Sequence, residues 1–182
     1  AKRYDTLESR YRRSSRIIRS TNRDLFVDAT PDLDRLHQGR IGDCFFVSIV
    51  GALVERDAGS IKRMIKPVDR DTYTVAFGES RDVTIKTLTD AELALSSTTG
   101  DEGLWLPVLE KAYGAMRMGL RPKSRQSLNV TDSIASGGSI ATSIRVLTGH
   151  AVDTTQLAPG RSDEKGKPER FAATVREKLI EG

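Results

Sequence analysis

Hydrophobic residues along this chain change their period twice, and those changes divide it into elements. Phe46, Ile49, Val50 and Leu53 recur at i, i+3, i+4 and i+7, the spacing of a buried helix face. A helix is therefore predicted from Cys44 to about Glu55. Arg56-Asp57-Ala58-Gly59 supplies its stop, and Ser60 can cap a short second helix, Ile61 to Lys66, closed by Pro67. The period then shortens to two. Tyr73, Val75 and Phe77 alternate with polar or small residues, as do Val83, Ile85 and Thr87, with Gly78-Glu79-Ser80 between, which is a β-hairpin signature. Thr89 to Thr99 is a polar segment, and Gly100-Asp101-Glu102-Gly103 reads as a loop. The helical period returns in Leu104–Gly114, where Pro107 suits a first turn and Trp105, Val108, Leu109, Ala112 and Tyr113 form the buried face. Ala135-Ser136-Gly137-Gly138-Ser139 precedes a further helix carrying Ile140, Ile144, Val146 and Leu147, and Thr148-Gly149-His150 follows it. Residues 158–168 read as a polar loop, and Pro168 to Glu181 as an amphipathic helix with Phe171, Val175 and Leu179 inward.

The flanks of the first core helix carry the candidate chemistry. Cys44 is the sole cysteine of the 182 residues and stands in that helix's first turn. Gly39 and Gly42 allow a tight turn before it, and Asp43 is a candidate N-cap. Free backbone N–H groups and the helix dipole at such a position stabilise a thiolate, the nucleophilic form of cysteine. Gln38 lies six residues earlier, and the turn can bring its amide back toward the sulfur, where an amide N–H donates to an oxyanion. The competing reading of a lone cysteine is a small buried hydrophobe. His37 and His150 are the two histidines, and both read as surface or structural residues.

Composition bounds the class. The chain is 37% hydrophobic and 30% charged, with no apolar run of membrane-spanning length. One cysteine excludes an internal disulfide, and one cysteine with two histidines makes a structural zinc site improbable. With no leader-like start, this favours a cytoplasmic location. Of the net charge of +4, the excess sits in residues 1–24, where eight Lys and Arg face three Asp and Glu. That stretch reads as a basic N-terminal arm with a partial helical stripe, and residues 25–182 as the domain. An electrostatic nucleic-acid contact through the arm is a weaker reading, since no nucleic-acid-binding motif accompanies it.

Gln38-Gly-x-x-Gly-Asp-Cys44 followed by an aromatic resembles the active-site segment of the calpain-type, papain-like cysteine proteases. Leu104-Trp105 with Leu109-Glu110-Lys111-Ala112-Tyr113, and Ser136-Gly137-Gly138-Ser139 with Thr148-Gly149, resemble two further segments of that family. Phe45 replaces the family's usual Trp, and His150 a usual glycine. The resemblance implies a mostly helical α+β fold, the cysteine-bearing N-terminal subdomain of a papain-like protease with a small β-hairpin. It implies Cys44 as nucleophile and Gln38 as oxyanion donor in the hydrolysis of a protein or peptide substrate. Gly137 and Gly138 would hydrogen-bond an extended substrate backbone. A papain-like base is a histidine about 130–150 residues beyond the cysteine, with Asn or Asp after it. The sequence therefore reads as the cysteine-bearing half of a core whose partner is the His/Asn-bearing half, and the isolated chain is expected to be inactive. The alternative is a non-catalytic calpain-fold interaction module. The family also implies calcium, but its acidic ligand positions fall at Arg35 and Gly103, one residue from Asp34 and Glu102. Asp101 and Glu102 remain as elements of a different site.

Overall fold

A computed structural model describes residues 2–27, 30–78, 81–120 and 129–153. Its architecture is α+β and mostly helical, with one small antiparallel sheet. Residues 1–152 make up one compact unit. The expected loop at 158–168 and helix at 168–181 lie outside the described residues, as do Ala29, Glu79 and Ser80.

The helix predicted from the Phe46 period is α2, Cys44–Met64, which runs well past Glu55. Its backbone leaves helical geometry at Asp57 (φ −158°, ψ 84°) and then resumes. The stop signal around Asp57 thus marks a break between two helical segments instead of an end. Ser60 Oγ donates to the Asp57 carbonyl at 2.6 Å, and the Arg63 guanidinium pairs with the Asp57 carboxylate. The short helix expected from Ile61 to Lys66 is corrected at its far end. Ile65 and Lys66 already belong to strand β1, Ile65–Asp69, which also contains Pro67. Proline is tolerated there because β1 is an edge strand.

Strands β2, Thr72–Phe77, and β3, Arg81–Lys86, form the expected hairpin. The sheet has three strands in the order β1-β2-β3, all antiparallel, so the hairpin reading was one strand short. Tyr73 pairs with Ile85 and Val75 with Val83. Tyr73, Val75, Phe77 and Ile85 turn into the core. Within the segment read only as polar, Thr89 and Glu92 close a capping box on a single helical turn, α3, Asp90–Leu93.

Helix α4, Trp105–Leu120, is the centre of the core. Trp105, Leu106, Val108, Leu109 and Ala112 are completely buried, so its first turns are covered on every side rather than along one stripe. Tyr113 stacks on Phe46 of α2 with ring centroids 4.3 Å apart, and meets Phe77 of β2 edge-on at 6.3 Å. One aromatic cluster thereby joins α2, α4 and the sheet. Helices α5, Val130–Ala135, and α6, Ile140–Thr148, pack on α4 and α2 respectively, and Gly149 closes α6 in the left-handed conformation. The basic arm is helical as α1, Lys2–Ser20. Along its apolar stripe, Leu7 and Tyr11 face solvent, while Ile17 and Ile18 are half-buried. Arg23, just beyond α1, reaches Asp90 at 2.6 Å.

Candidate active site

Cys44 is the first residue of α2 and is exposed, although Phe45, Phe46 and Val47 directly after it are buried. The thiol therefore stands at the surface on a rigid, core-anchored helix start. Among the described residues no group accepts the Cys44 N–H. The Asp43 carbonyl accepts instead from Phe46 and Val47, at 2.8 and 3.1 Å.

Asp43 is the N-cap by position, but its side chain does not cap, which corrects the reading of a side-chain cap. It is fully buried and turned inward. Neither carboxyl oxygen receives a well-formed hydrogen bond from an N–H or hydroxyl among the described residues. The groups that act on it are the Glu110 carboxyl of α4, then its own backbone N–H and, less strongly, the Gln38 side chain. Burial pushes the Asp43 carboxyl above its ordinary value, and these neighbours only partly offset that. Glu110 is just 1% exposed, and its carboxyl is held well above the usual range, first by burial and then by the charge of Asp43. One Glu110 oxygen, Oε2, accepts the Ser97 N–H at 2.9 Å, while Oε1 has no conventional donor.

The turn carrying Gln38 is tied to the stretch 95–98. His37 and Thr98 exchange two backbone bonds of 2.8 Å, Arg40 N–H donates to the Leu95 carbonyl at 2.7 Å, and Gly39 N–H donates to Ser97 Oγ at 3.1 Å. Backbone meets backbone so closely here that a Cβ on Gly39 would lie 2.2 Å from the Ser96 carbonyl oxygen. Gln38 itself is exposed, and its side chain acts on Asp43, the residue beside the cysteine.

Gly137 and Gly138 arrive at the same place from the other side. Gly137 has φ +77°, and Arg117 Nη2 donates to its carbonyl at 2.6 Å. A Cβ on Gly138 would lie 2.3 Å from the Phe45 ring. Arg117 also sits over that ring, 5.5 Å from its centroid. The residue after the cysteine is thus wedged between α4 and the glycine pair. Phe45 keeps the aromatic wall in the position where the motif ordinarily has Trp. His37 and His150 are both exposed, and neither makes a side-chain hydrogen bond to Cys44 among the described residues.

The residues at the proposed calcium positions do not fit a cation. Arg35 places its guanidinium 3.3 Å from Asp101, so a positive group already occupies that side of the loop. The Glu102 carboxylate is buried and receives the Asp32 N–H at 3.4 Å. Among the described residues, no three acidic, histidine or cysteine side chains converge. No described helix is long and apolar enough to cross a membrane.

Sequence reading singled out Cys44, Gln38 and the glycine pair as candidates but passed over Glu110 as a partner of Asp43. A signal existed: Glu110 lies four residues after Leu106 and three before Tyr113, on the row that becomes buried. The sequence model of one family, calpain family cysteine protease, matches residues 2–180. A search of curated proteins gives no match.

Proposed function

Because the chain belongs to the calpain family of cysteine proteases, we propose that it supplies the nucleophilic half of a peptide-hydrolysing site. Cys44 is the nucleophile. Its Sγ attacks the scissile carbonyl to form a tetrahedral oxyanion, which collapses to a thioester as the amine leaves, and water then releases the acid. The single observation that carries this reading is the exposed thiol at the head of α2 beside an unclaimed backbone N–H. That N–H and the Gln38 amide are the oxyanion donors. Gly137 and Gly138, lacking side chains and packed on Phe45, align an extended peptide past the sulfur.

The reaction also needs a group that takes the thiol proton and returns it to the leaving amine. Neither histidine of this sequence is engaged with Cys44, so the base belongs to a His/Asn-bearing half of the core, and this polypeptide alone is inactive. The pairing of Arg35 with Asp101 supports a core that works without calcium at this loop.

The test is reconstitution. The chain is mixed with a histidine-bearing half, and hydrolysis of an unfolded protein substrate is followed. Turnover should appear only in the mixture and vanish with Cys44→Ala. In parallel, iodoacetamide should label Cys44 of the chain alone at mildly acidic pH. An unreactive thiol together with a silent mixture would instead indicate a non-catalytic interaction module.

A further inference from the structure

The geometry points to Glu110 as a positioning residue that sets both Cys44 and Gln38, through one proton shared with Asp43. The inference rests on the reading of Cys44 as nucleophile. Three buried carboxyl oxygens, Asp43 Oδ1 and Oδ2 and Glu110 Oε1, lack any conventional donor among the described residues. Two facing carboxylates would repel each other and leave all three oxygens without a donor from the protein, an arrangement that proteins avoid. A single proton on Glu110 Oε1, donated to one oxygen of the Asp43 carboxylate, removes the repulsion and satisfies two of the three, and the Gln38 side chain is the group that faces the remaining Asp43 oxygen. The other Glu110 oxygen holds the Ser97 N–H, and Ser97 Oγ holds the N–H of Gly39. From one side chain, therefore, one arm reaches the residue next to Cys44 and the other reaches the residue next to Gln38.

The shared proton also explains the unusual N-cap. An aspartate at this position ordinarily swings its carboxylate onto the free N–H groups of the helix. Here that motion would carry the carboxylate to the N–H groups of Phe45 or Phe46 and put a negative charge beside the thiol. Tethered to Glu110, the carboxylate stays inside and the helix start stays open. The other charged groups near Glu110 are Glu92 and Lys111, which line a small cavity beside it and pair with each other at 2.8 Å. Gln38 faces Asp43 from the turn, and α5 presents no charged group to that cavity.

The proton gives the fold a signed pH dependence. Both carboxyls sit above their unfolded values, about 3.8 for Asp43 and 4.5 for Glu110. Their contribution is complete below those values and is lost as pH climbs toward the folded ones. Glu110→Gln keeps a donor toward Asp43 but has no proton to lose. Its melting temperature, relative to wild type, should rise progressively as pH climbs above 4.5, whereas a purely steric role would give a constant offset. The infrared carbonyl band of a neutral carboxylic acid should persist in the folded wild-type chain above pH 4.5, the ordinary glutamate value, and disappear in Glu110→Gln. Glu110→Leu should slow iodoacetamide labelling of Cys44 about tenfold, with Glu110→Gln restoring it. Absence of the neutral-acid band in wild type would overturn the proposal, and that measurement needs no variant to fold. Unchanged labelling in a folded Glu110→Leu would overturn the positioning role. None of these readouts requires peptide hydrolysis. A silent reconstituted enzyme with the band and the labelling effect intact would therefore count against the protease reading and leave the shared proton standing.

Discussion

A methyl group at Gly39 has nowhere to go. The Ser96 carbonyl oxygen would lie 2.2 Å from it and the Leu95 carbonyl oxygen 2.4 Å, and both are backbone atoms that a rotamer change cannot clear. Gly39→Ala must prise the Gln38 turn away from 95–98 and break the bonds from Gly39 and Arg40. A loss of about 1–3 kcal/mol is expected, the usual range for forcing extra volume into a packed site. The urea midpoint checks it, and iodoacetamide labelling of Cys44 should fall little, because α2 keeps its own anchors. At this scale the sequence was informative about which candidate side chains stand at the surface, Cys44 and Gln38 among them. The cysteine, the glutamine and the paired glycines are specific when read together, and weak signals one by one. It was uninformative about Asp43 and Glu110, because an acid near a helix start or inside a helix is ordinary. Only the fold reveals that these two acids meet in the core.

Among the elements, α4 holds the others together. Trp105 is completely buried at its start, and Tyr113 binds α2 and the sheet through two ring contacts. Lys111 bridges outward to Glu92 at 2.8 Å and to the Thr87 carbonyl at 3.0 Å, fixing the single turn α3. Trp105→Ala should cost about 3–5 kcal/mol, the range for removing a buried aromatic, and should appear as an earlier denaturant midpoint. Long apolar periods made α2, α4 and α6 legible, and alternation made β2 and β3 legible. Strand β1 was hidden because Ile65-Lys66-Pro67-Val68-Asp69 shows no clean alternation, and its proline reads as a stop. What makes it a strand is its partner: Ile65 pairs with Val75 and Lys66 with Thr74. That information lies ten residues away, beyond any local pattern.

At the level of the whole molecule, seven of the 29 Lys and Arg lie on α1, while Arg117 stands at the site itself, over the Phe45 ring. The exposed Arg35–Asp101 pair bears on cation dependence. With the two side chains 55% and 80% exposed, the bond itself adds less than about 1 kcal/mol. Its consequence is instead to place a positive group where a divalent ion would need a negative one. Adding calcium is expected to leave the melting temperature unchanged and to give no heat of binding in calorimetry. A calcium-dependent rise in melting temperature would show that an acidic set assembles despite Arg35.

The interruption of α2 at Asp57 has a mechanical meaning. Upstream, the segment bearing Cys44 is clamped by Phe46 against Tyr113. Downstream, the next turn runs straight into the edge of the sheet. Helical continuity is lost between them, and Ser60 and Arg63 hold the joint. The sulfur's place is thereby set by the packing of its own segment, while the segment beyond the break is seated separately through Ile61, which is fully buried.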